Sequence, residues 1–436
     1  MTSQLVEEAA DRARRVLEAC VTPIGLRASA DDDGYPEVWA RDSMISLIGI
    51  CAAGLGELAP SLRATLQTLA DRQSELGSIP LNVGPDGRRG TANAGAVDSN
   101  LWFIIGHHIL DRTFGAADLL DRHQDALARA MLWVRYQDVD DDGLLESQEA
   151  GDWADLLANR GKVLYSNVLY VIALRAYASI AERLGRLDAD DHRAQADLVA
   201  ERVNAVLWVD SQHGLWGSAT SPAITGGHME TRRLVQSTVA QLWARPFYLP
   251  WVAFRDFGDW CDVLGNSLAI VAGVADPAQR DRILTYFDEV GVSLPYPAKA
   301  IHPPIEPGHK DWREYYRNGF RSLPNQYHNG GIWPFIGGFL VAALVEDGRT
   351  EEAARQLELL AALLREGHRE PWEFNEWHHG ATGRPMGATR QAWSAAGFLL
   401  ARQAVRDGSV DVLAEVRAPG GSQPAAARRL AGTGDR

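Results

Sequence analysis

The sequence predicts an all-α fold: an (α/α)6 toroid of six helical hairpins, with long loops on one face. Three observations predict it. Apolar residues recur at helical spacing along nearly the whole chain. The helical segments come in pairs, roughly every 30–50 residues, with Gly/Pro/Asp-rich stretches between them. Strand-like alternation is scarce. A six-hairpin toroid needs twelve helices, and 436 residues accommodate that number.

The helical period is legible in order in "LVEEAADRARRVLEAC", "LAPSLRATLQTLADRQ", "QDALARAMLWVRYQ", "NVLYVIALRAYASIAERLG" and "HRAQADLVAERVNAVLW". It continues in "LGNSLAIVAGVA", "PAQRDRILTYFDEV", "GGIWPFIGGFLVAALVEDG", "TEEAARQLELLAALLREG" and "TRQAWSAAGFLLARQAV". The connections include "LNVGPDGRRGTANAGAVDSN" and "LPYPAKAIHPPIEPGHKDW", whose Gly and Pro break regular structure. Only "EVWAR" and "HGLWGSAT" suggest strands. No internal repeat is visible, which argues against a solenoid. Residues 1–416 are read as one domain. Residues 417–436 form a Gly/Ala/Pro/Arg-rich tail with no apolar face, expected to be disordered.

The formal net charge is −14, which argues against the clustered basic surface that nucleic acids or anionic membranes require. The three cysteines, Cys20, Cys51 and Cys261, match neither a zinc nor a disulfide spacing. The N-terminus is charged and amphipathic, unlike a secretory signal, and no apolar run looks long enough to cross a membrane. A cytoplasmic protein is expected. Tryptophan (14) outnumbers both tyrosine and phenylalanine (11 each), which favours a sugar ligand, because indole faces match the C–H faces of sugars.

Four segments concentrate the chemistry. "DVDDDGLLESQE" (138–149) fits the calcium-loop pattern, with Asp138, Asp140 and Asp142 at its first three ligand positions. Gly151 interrupts the exit helix an EF-hand needs, and no second loop pairs with this one. The context therefore does not support a sensor. A structural calcium remains one reading. An Asp/Gly turn accepting local backbone hydrogen bonds is the preferred one, and no cofactor is expected. The loop runs into "EAGDWADLL", which places Glu146, Glu149, Asp152 and Asp155 around Trp153. Crowded carboxylates beside an aromatic wall hold protons more tightly, as a general acid must. In "EPWEFNEWHHGATGRPMG", Glu370, Glu373 and Glu376 alternate with Trp372, Phe374 and Trp377. Two carboxylates from distant loops are the minimum for glycoside hydrolysis. His378 and His379 lack a partner at metal-ligand spacing. "QYHNGGIWP" turns on Gly330 and Gly331 before Pro334 and offers Tyr327, His328 and Asn329 to a cleft. "VWARDSMISL" opens a helix with Trp39, Arg41 and Asp42, read either as an exposed ion pair or as an Asp gripping sugar hydroxyls beside its Arg.

Together, "WARDSM", "AVDSNLWFIIG", "FGDWCDVLGNSLAI", "YHNGGIWP" and "TGRPMGATRQAWSAAGFLLA" resemble, in this order, the alkaline/neutral invertases. They are also similar to the catalytic domains of amylo-α-1,6-glucosidases and to the mannosylglycerate/glucosylglycerate hydrolases. The resemblance spans residues 35–405 and implies an inverting glycosidase. It implies Glu376 as general base, before Gly383, Gly387 and "RQAW". It implies Asp155, in "WAD", as general acid, with Asp152 as rival. It further implies sugar contacts at Arg41, Asp42, Tyr327, His328 and Asn329; Trp39, Asp98, Trp153, Trp333, Trp377, Gln391 and Trp393 are further candidate substrate contacts.

The function expected is single-displacement hydrolysis of an α-glycosidic bond in a small soluble glycoside: sucrose, glucosylglycerate or a short gluco-oligosaccharide. Two other classes compete. A sugar isomerase or epimerase on the same toroid would use His328, His378 or His379. A non-catalytic sugar-binding protein would lack one of the two carboxylates. Oligomeric state is not legible.

Overall fold

A computed structural model describes residues 3–31, 34–90, 96–209, 244–320 and 322–417. The "HGLWGSAT" segment and the tail beyond residue 417 lie outside them. Twelve α-helices occur among the described residues: α1 (Gln4–Ala19), α2 (Ala40–Ala52), α3 (Ala59–Asp71), α4 (Asp98–Phe114), α5 (Ala117–Arg135), α6 (Leu164–Arg183), α7 (Ala189–Leu207), α8 (Val263–Val271), α9 (Pro277–Glu289), α10 (Pro334–Glu346), α11 (Thr350–Arg365) and α12 (Ala392–Asp407).

Their packing closes a ring. α2 packs on α4, α4 on α6, α6 on α8, α8 on α10, α10 on α12, and α12 returns to α2. These six form the inner layer. Around them, α1 lies on α11 and α12, α3 and α5 on α4, α7 on α6, and α11 on α10 and α12. α9 contributes Ile283, Leu284 and Phe287 to the common core. Its start is set by Asp276, which accepts from Gln279 N in a reciprocal capping box ahead of Pro277. A 3-10 turn, Asp411–Val416, packs on α2, α4 and α6, beside the C-terminal residues of α2 and α4.

The layers differ in sequence because they differ in burial. Every residue of α8, and all but the last of α10, is buried, so apolar side chains surround the axis. The outer helices α1, α5 and α11 are amphipathic, with one buried stripe each. This corrects one expectation: α6 is, by length and composition, apolar enough to cross a membrane. Its apolar window is 89% buried inside the ring, which accounts for that composition.

Short antiparallel strands line the end where the inner helices begin. The "EVWAR" expectation is met by Val38–Trp39, which pairs with Asn82–Val83 and leads directly into α2. Lys162–Val163 leads into α6 and Cys261–Asp262 into α8. Each pairing fixes where its inner helix starts and hence which residues face that end.

Candidate active site

The first turns of the inner helices carry polar side chains into a buried network. Arg41 in α2 donates through Nε to Asp98 Oδ2, at the start of α4, at 2.7 Å. Its Nη1 donates to the Trp153 carbonyl at 3.1 Å. Tyr165 in α6 donates to the same Asp98 oxygen at 3.1 Å and accepts from Trp102 Nε1 at 2.8 Å. The sequence set Arg41 beside Asp42 as an exposed pair or a sugar grip. Both are buried, and the hydrogen-bonded partner of Arg41 is Asp98. Burial pushes the Asp42 carboxyl up to about 7, against the opposing charge of Arg41. The helix N-termini that meet here contribute partial positive charge, which favours anionic or electron-rich groups.

The loop between α5 and α6 is closed at its neck by the paired amides and carbonyls of Ser147 and Gly161, at 2.8 Å each way. Within it, Asp152 is buried and fully engaged: Oδ1 accepts from Ala154 N at 2.7 Å and Oδ2 from Asn159 Nδ2 at 2.8 Å. Burial pushes its carboxyl up to about 6. Asp155 is 23% exposed, with Oδ1 3.8 Å from His328 Nδ1. Trp153 packs edge-on against His328, Trp333 and Phe335, and Trp333 packs in turn against Trp393. Burial, reinforced by Arg41, holds the His328 imidazole well below its usual range, so it is neutral. Glu149 is occupied elsewhere, gripped by Arg313 at 2.8 and 2.7 Å.

On the opposite arc, the three glutamates divide by role. Glu373 accepts from the amides of His368, Arg369 and Glu370 at 2.7, 2.8 and 3.1 Å. Burial raises its pKa, but these bonds outweigh burial and hold it below the usual range. It staples a turn. Glu370 is exposed. Glu376 is buried, accepting from Tyr35 Oη at 3.3 Å and from Ala388 N at 3.2 Å. Gly387, at φ +72°, is required there, because a Cβ would lie 2.5 Å from Glu376 Oε2. A cleft of about 620 Å³, lined by Asp31, Arg369, Asn375, Met386, Gly387 and Ala388, flanks this carboxylate.

The remaining candidates separate as well. Gln391, at the start of α12, is buried with neither amide atom hydrogen-bonded among the described residues. The same holds for Trp393 Nε1, Arg41 Nη2 and Asp98 Oδ1. Buried polar atoms are normally satisfied, so a concentration of unsatisfied donors and acceptors marks a place for a polar ligand. Trp377 packs on Tyr327, and Tyr327 on His328 and Trp333. Tyr327 and Phe374 hold φ of +46° and +49°, unusual for aromatic residues and imposed by the loops that frame the site. Trp39 is half-buried beside Tyr35 and donates to Glu37 at 3.3 Å. The Asn329 side chain also has a structural task. Its amide accepts from Ile305 N and donates to the carbonyls of Ile305 and Ser322, so it pins the loop. His378 donates Nδ1–H to Gly383 O, the only sense a carbonyl allows, and burial pushes it down to about 4.

Sequence reasoning missed Tyr35 and Asp262. Tyr35 stands four residues before Trp39 in a loop with no motif, and only the contact with Glu376 identifies it. Asp262 lay inside a quoted segment, "GDWCDVLGNS", and its place immediately before an inner helix was the available signal. Its carboxylate overlies the first turn of α8, and burial, with Asp152 nearby, pushes it up to about 7 despite the amides of Gly265 and Leu264. Between the unfolded value near 4 and this folded value, the native state binds the extra proton, so stability falls as pH rises through that window. Asp262→Asn is therefore expected to gain melting temperature on the parent progressively from about pH 4 to pH 7, with a constant difference above. Scanning calorimetry across that range checks it. A difference independent of pH sinks it.

Comparison with known proteins follows the two halves of the ring. Residues 39–240 match the profile of the bacterial α-L-rhamnosidase six-hairpin glycosidase domain, and residues 254–408 that of the alkaline and neutral invertases. A probable alkaline/neutral invertase D from Arabidopsis thaliana is 36% identical over 152 residues, covering 34% of this chain and 27% of that protein. Cytosolic invertase 1 of Oryza sativa subsp. japonica is 34% identical over 152 residues, covering 34% and 26%. The match thus spans about a quarter of these relatives' length. Among solved structures, the GH63 mannosylglycerate hydrolase of Thermus thermophilus, in complex with Tris and D-glycerate, superposes with a TM-score of 0.63 at 14% identity, covering 90% of this chain and 99% of that one. A bacterial glucoamylase complexed with acarbose superposes with a TM-score of 0.62 at 16% identity, covering 94% and 57%. The fold is that of the six-hairpin glycosidases.

Proposed function

We propose that this six-hairpin toroid is an inverting glycoside hydrolase acting on the α-glycosidic bond of a small soluble glycoside. The observation that carries the reading is the set of buried, unsatisfied polar atoms on Arg41, Asp98, Gln391 and Trp393. Arg41 bonds Asp98 and the Trp153 carbonyl, and Trp153 leads through Trp333 to Trp393; the set includes donors and acceptors, which a neutral polyol can satisfy together. The reading takes Asp155 and Glu376, on loops from opposite halves of the chain, as acid and base: Asp155 neighbours His328, which stacks on Trp333, and Glu376 precedes Trp377, which packs on Tyr327.

In this mechanism Asp155 protonates the glycosidic oxygen. Glu376 takes a proton from a water that attacks the anomeric carbon from the other face, with Tyr35 fixing the orientation of the base. Room for that water corresponds to carboxyl groups about 6.5–9.5 Å apart. Both proton transfers use side chains, so no cofactor is assigned.

The invertase likeness supports sucrose as one substrate. It covers the half carrying Glu376 and leaves out the loop carrying Asp155, which keeps glucosylglycerate and short gluco-oligosaccharides as equal candidates. The rice relative's cytosolic name supports a cytoplasmic location. The isomerase reading is disfavoured because burial makes His328 and His378 weak bases. Proton NMR of reactions with sucrose, trehalose, maltose, isomaltose, kojibiose and glucosylglycerate tests the proposal. One substrate is expected to release a sugar whose first anomer is inverted. Retention of configuration, or aldose–ketose conversion without hydrolysis, overturns it.

A further inference from the structure

The loop that fits a calcium pattern already contains a cation. Lys162 Nζ lies 3.1 and 3.2 Å from the two Asp140 oxygens, 3.4 Å from Asp142 Oδ2 and 3.0 Å from Glu146 Oε1, and its side chain is 3% exposed. Asp138 lies with Asp140 and Asp142, one carboxylate oxygen of each within 4.8 Å of the others, but the remaining pattern positions also carry bonds of their own. Asp138 accepts from the amides of Asp142 and Gly143 at 3.0 and 2.8 Å. Glu149, the residue that would close a calcium shell, is held by Arg313 and Tyr315. Burial works against the charge on Lys162, but Asp142, Glu146 and Asp140 outweigh it and raise the pKa of the ammonium, so it stays charged.

The position of this cluster gives it a consequence. Ser147 and Gly161 pair at the neck of the loop that carries Asp152, Trp153 and Asp155. Glu146 and Lys162 are the next residues outward on either side, and their ion pair closes that neck. We propose that Lys162 supplies from within the chain the cation a calcium loop takes from solution, and thereby acts as the positioning residue of the Asp155 loop. The positioning role rests on the reading of Asp155 as the acid. The cation role does not.

The two parts are tested separately on the full chain. Calorimetric titration with calcium chloride is expected to give no binding heat with the wild-type protein, and its melting temperature is expected to be equal in calcium and in EDTA. Measurable calcium binding by the wild type overturns the cation role. Lys162→Ala is expected to lower the melting temperature, with partial recovery in millimolar calcium, which enters the vacated carboxylate cluster. Lys162→Arg, which keeps the charge, is expected to stay near wild type. A melting temperature unchanged by Lys162→Ala overturns the proposal. Should that variant not fold, Glu146→Gln removes one carboxylate and keeps the ammonium, and an unchanged melting temperature there overturns it equally. On the hydrolysed glycoside, Lys162→Ala is expected to lower kcat about tenfold or more with KM little changed, because misplacing an acid costs rate and not affinity. Loss of stability with kcat intact leaves Lys162 as the loop cation and refutes its positioning role.

Discussion

Glu376→Gln is expected to lower kcat by about 10²- to 10⁴-fold, the range a positioned general base supplies, with KM little changed. The substitution suits the test because the fold loses little. Two of the bonds that Glu376 makes have opposite tolerances. Ala388 N can only donate, so the amide oxygen of a glutamine must take that position. The Tyr35 hydroxyl can turn and accept from the amide nitrogen instead. Both bonds survive in altered form, and the stability change should stay within about 1 kcal/mol. The measurement pairs initial rates with a thermal unfolding curve. A variant that melts like the parent but hydrolyses at more than a tenth of its rate removes Glu376 as the base. Glu373→Gln is the control. It weakens a staple made by three amides, so it should lower the melting temperature more than it lowers kcat.

The parts of this molecule that were legible in sequence follow from which signals survive burial. Outer helices such as α1 and α11 face water on one side, so their apolar stripe shows as a period. The inner helix α4 is buried from Asp98 through Leu110, and "DSNLWFIIGHHIL" carries no clear stripe. It was recognisable through motif likeness and not through periodicity. The candidate site was legible where chemistry and spacing coincide, as in the two acidic loops and their tryptophans. It was not legible where partners are set by packing across the ring. Arg41 adjoins Asp42 in sequence but bonds Asp98 on the neighbouring inner helix, 57 positions away. Asn329 shares a motif with His328, yet the loop at Ile305 and Ser322 consumes its amide. The resemblance favours Asp155 over its rival Asp152 in "GDWADLL"; the fold adds that Asp152 is bound on both oxygens and that Asp155 Oδ1 lies 3.8 Å from His328 Nδ1.

That distinction sets the second large effect. Asp155→Asn is expected to lower hydrolysis of a glycoside with a sugar or alkyl leaving group by about 10²- to 10⁴-fold. The loss should be far smaller for a glycosyl fluoride, whose leaving group needs little protonation. Asp152→Asn should behave differently. Its Oδ2 accepts from the Asn159 amide, and an asparagine turned to keep Ala154 N satisfied presents NH₂ to NH₂. The expected result is a loss of stability of about 1–3 kcal/mol, and a rate reduced by a similar factor for both leaving groups. A pH profile alone would mislead, because burial brings Asp152 up to about 6, where a general acid would also titrate. Leaving-group dependence separates them, since only the proton donor senses the basicity of the departing oxygen. If Asp155→Asn hydrolyses the sugar-leaving substrate normally while Asp152→Asn spares only the fluoride, the roles are reversed. The two bonds that hold Asp152 in this structure would then have to exchange for the glycosidic oxygen when substrate binds.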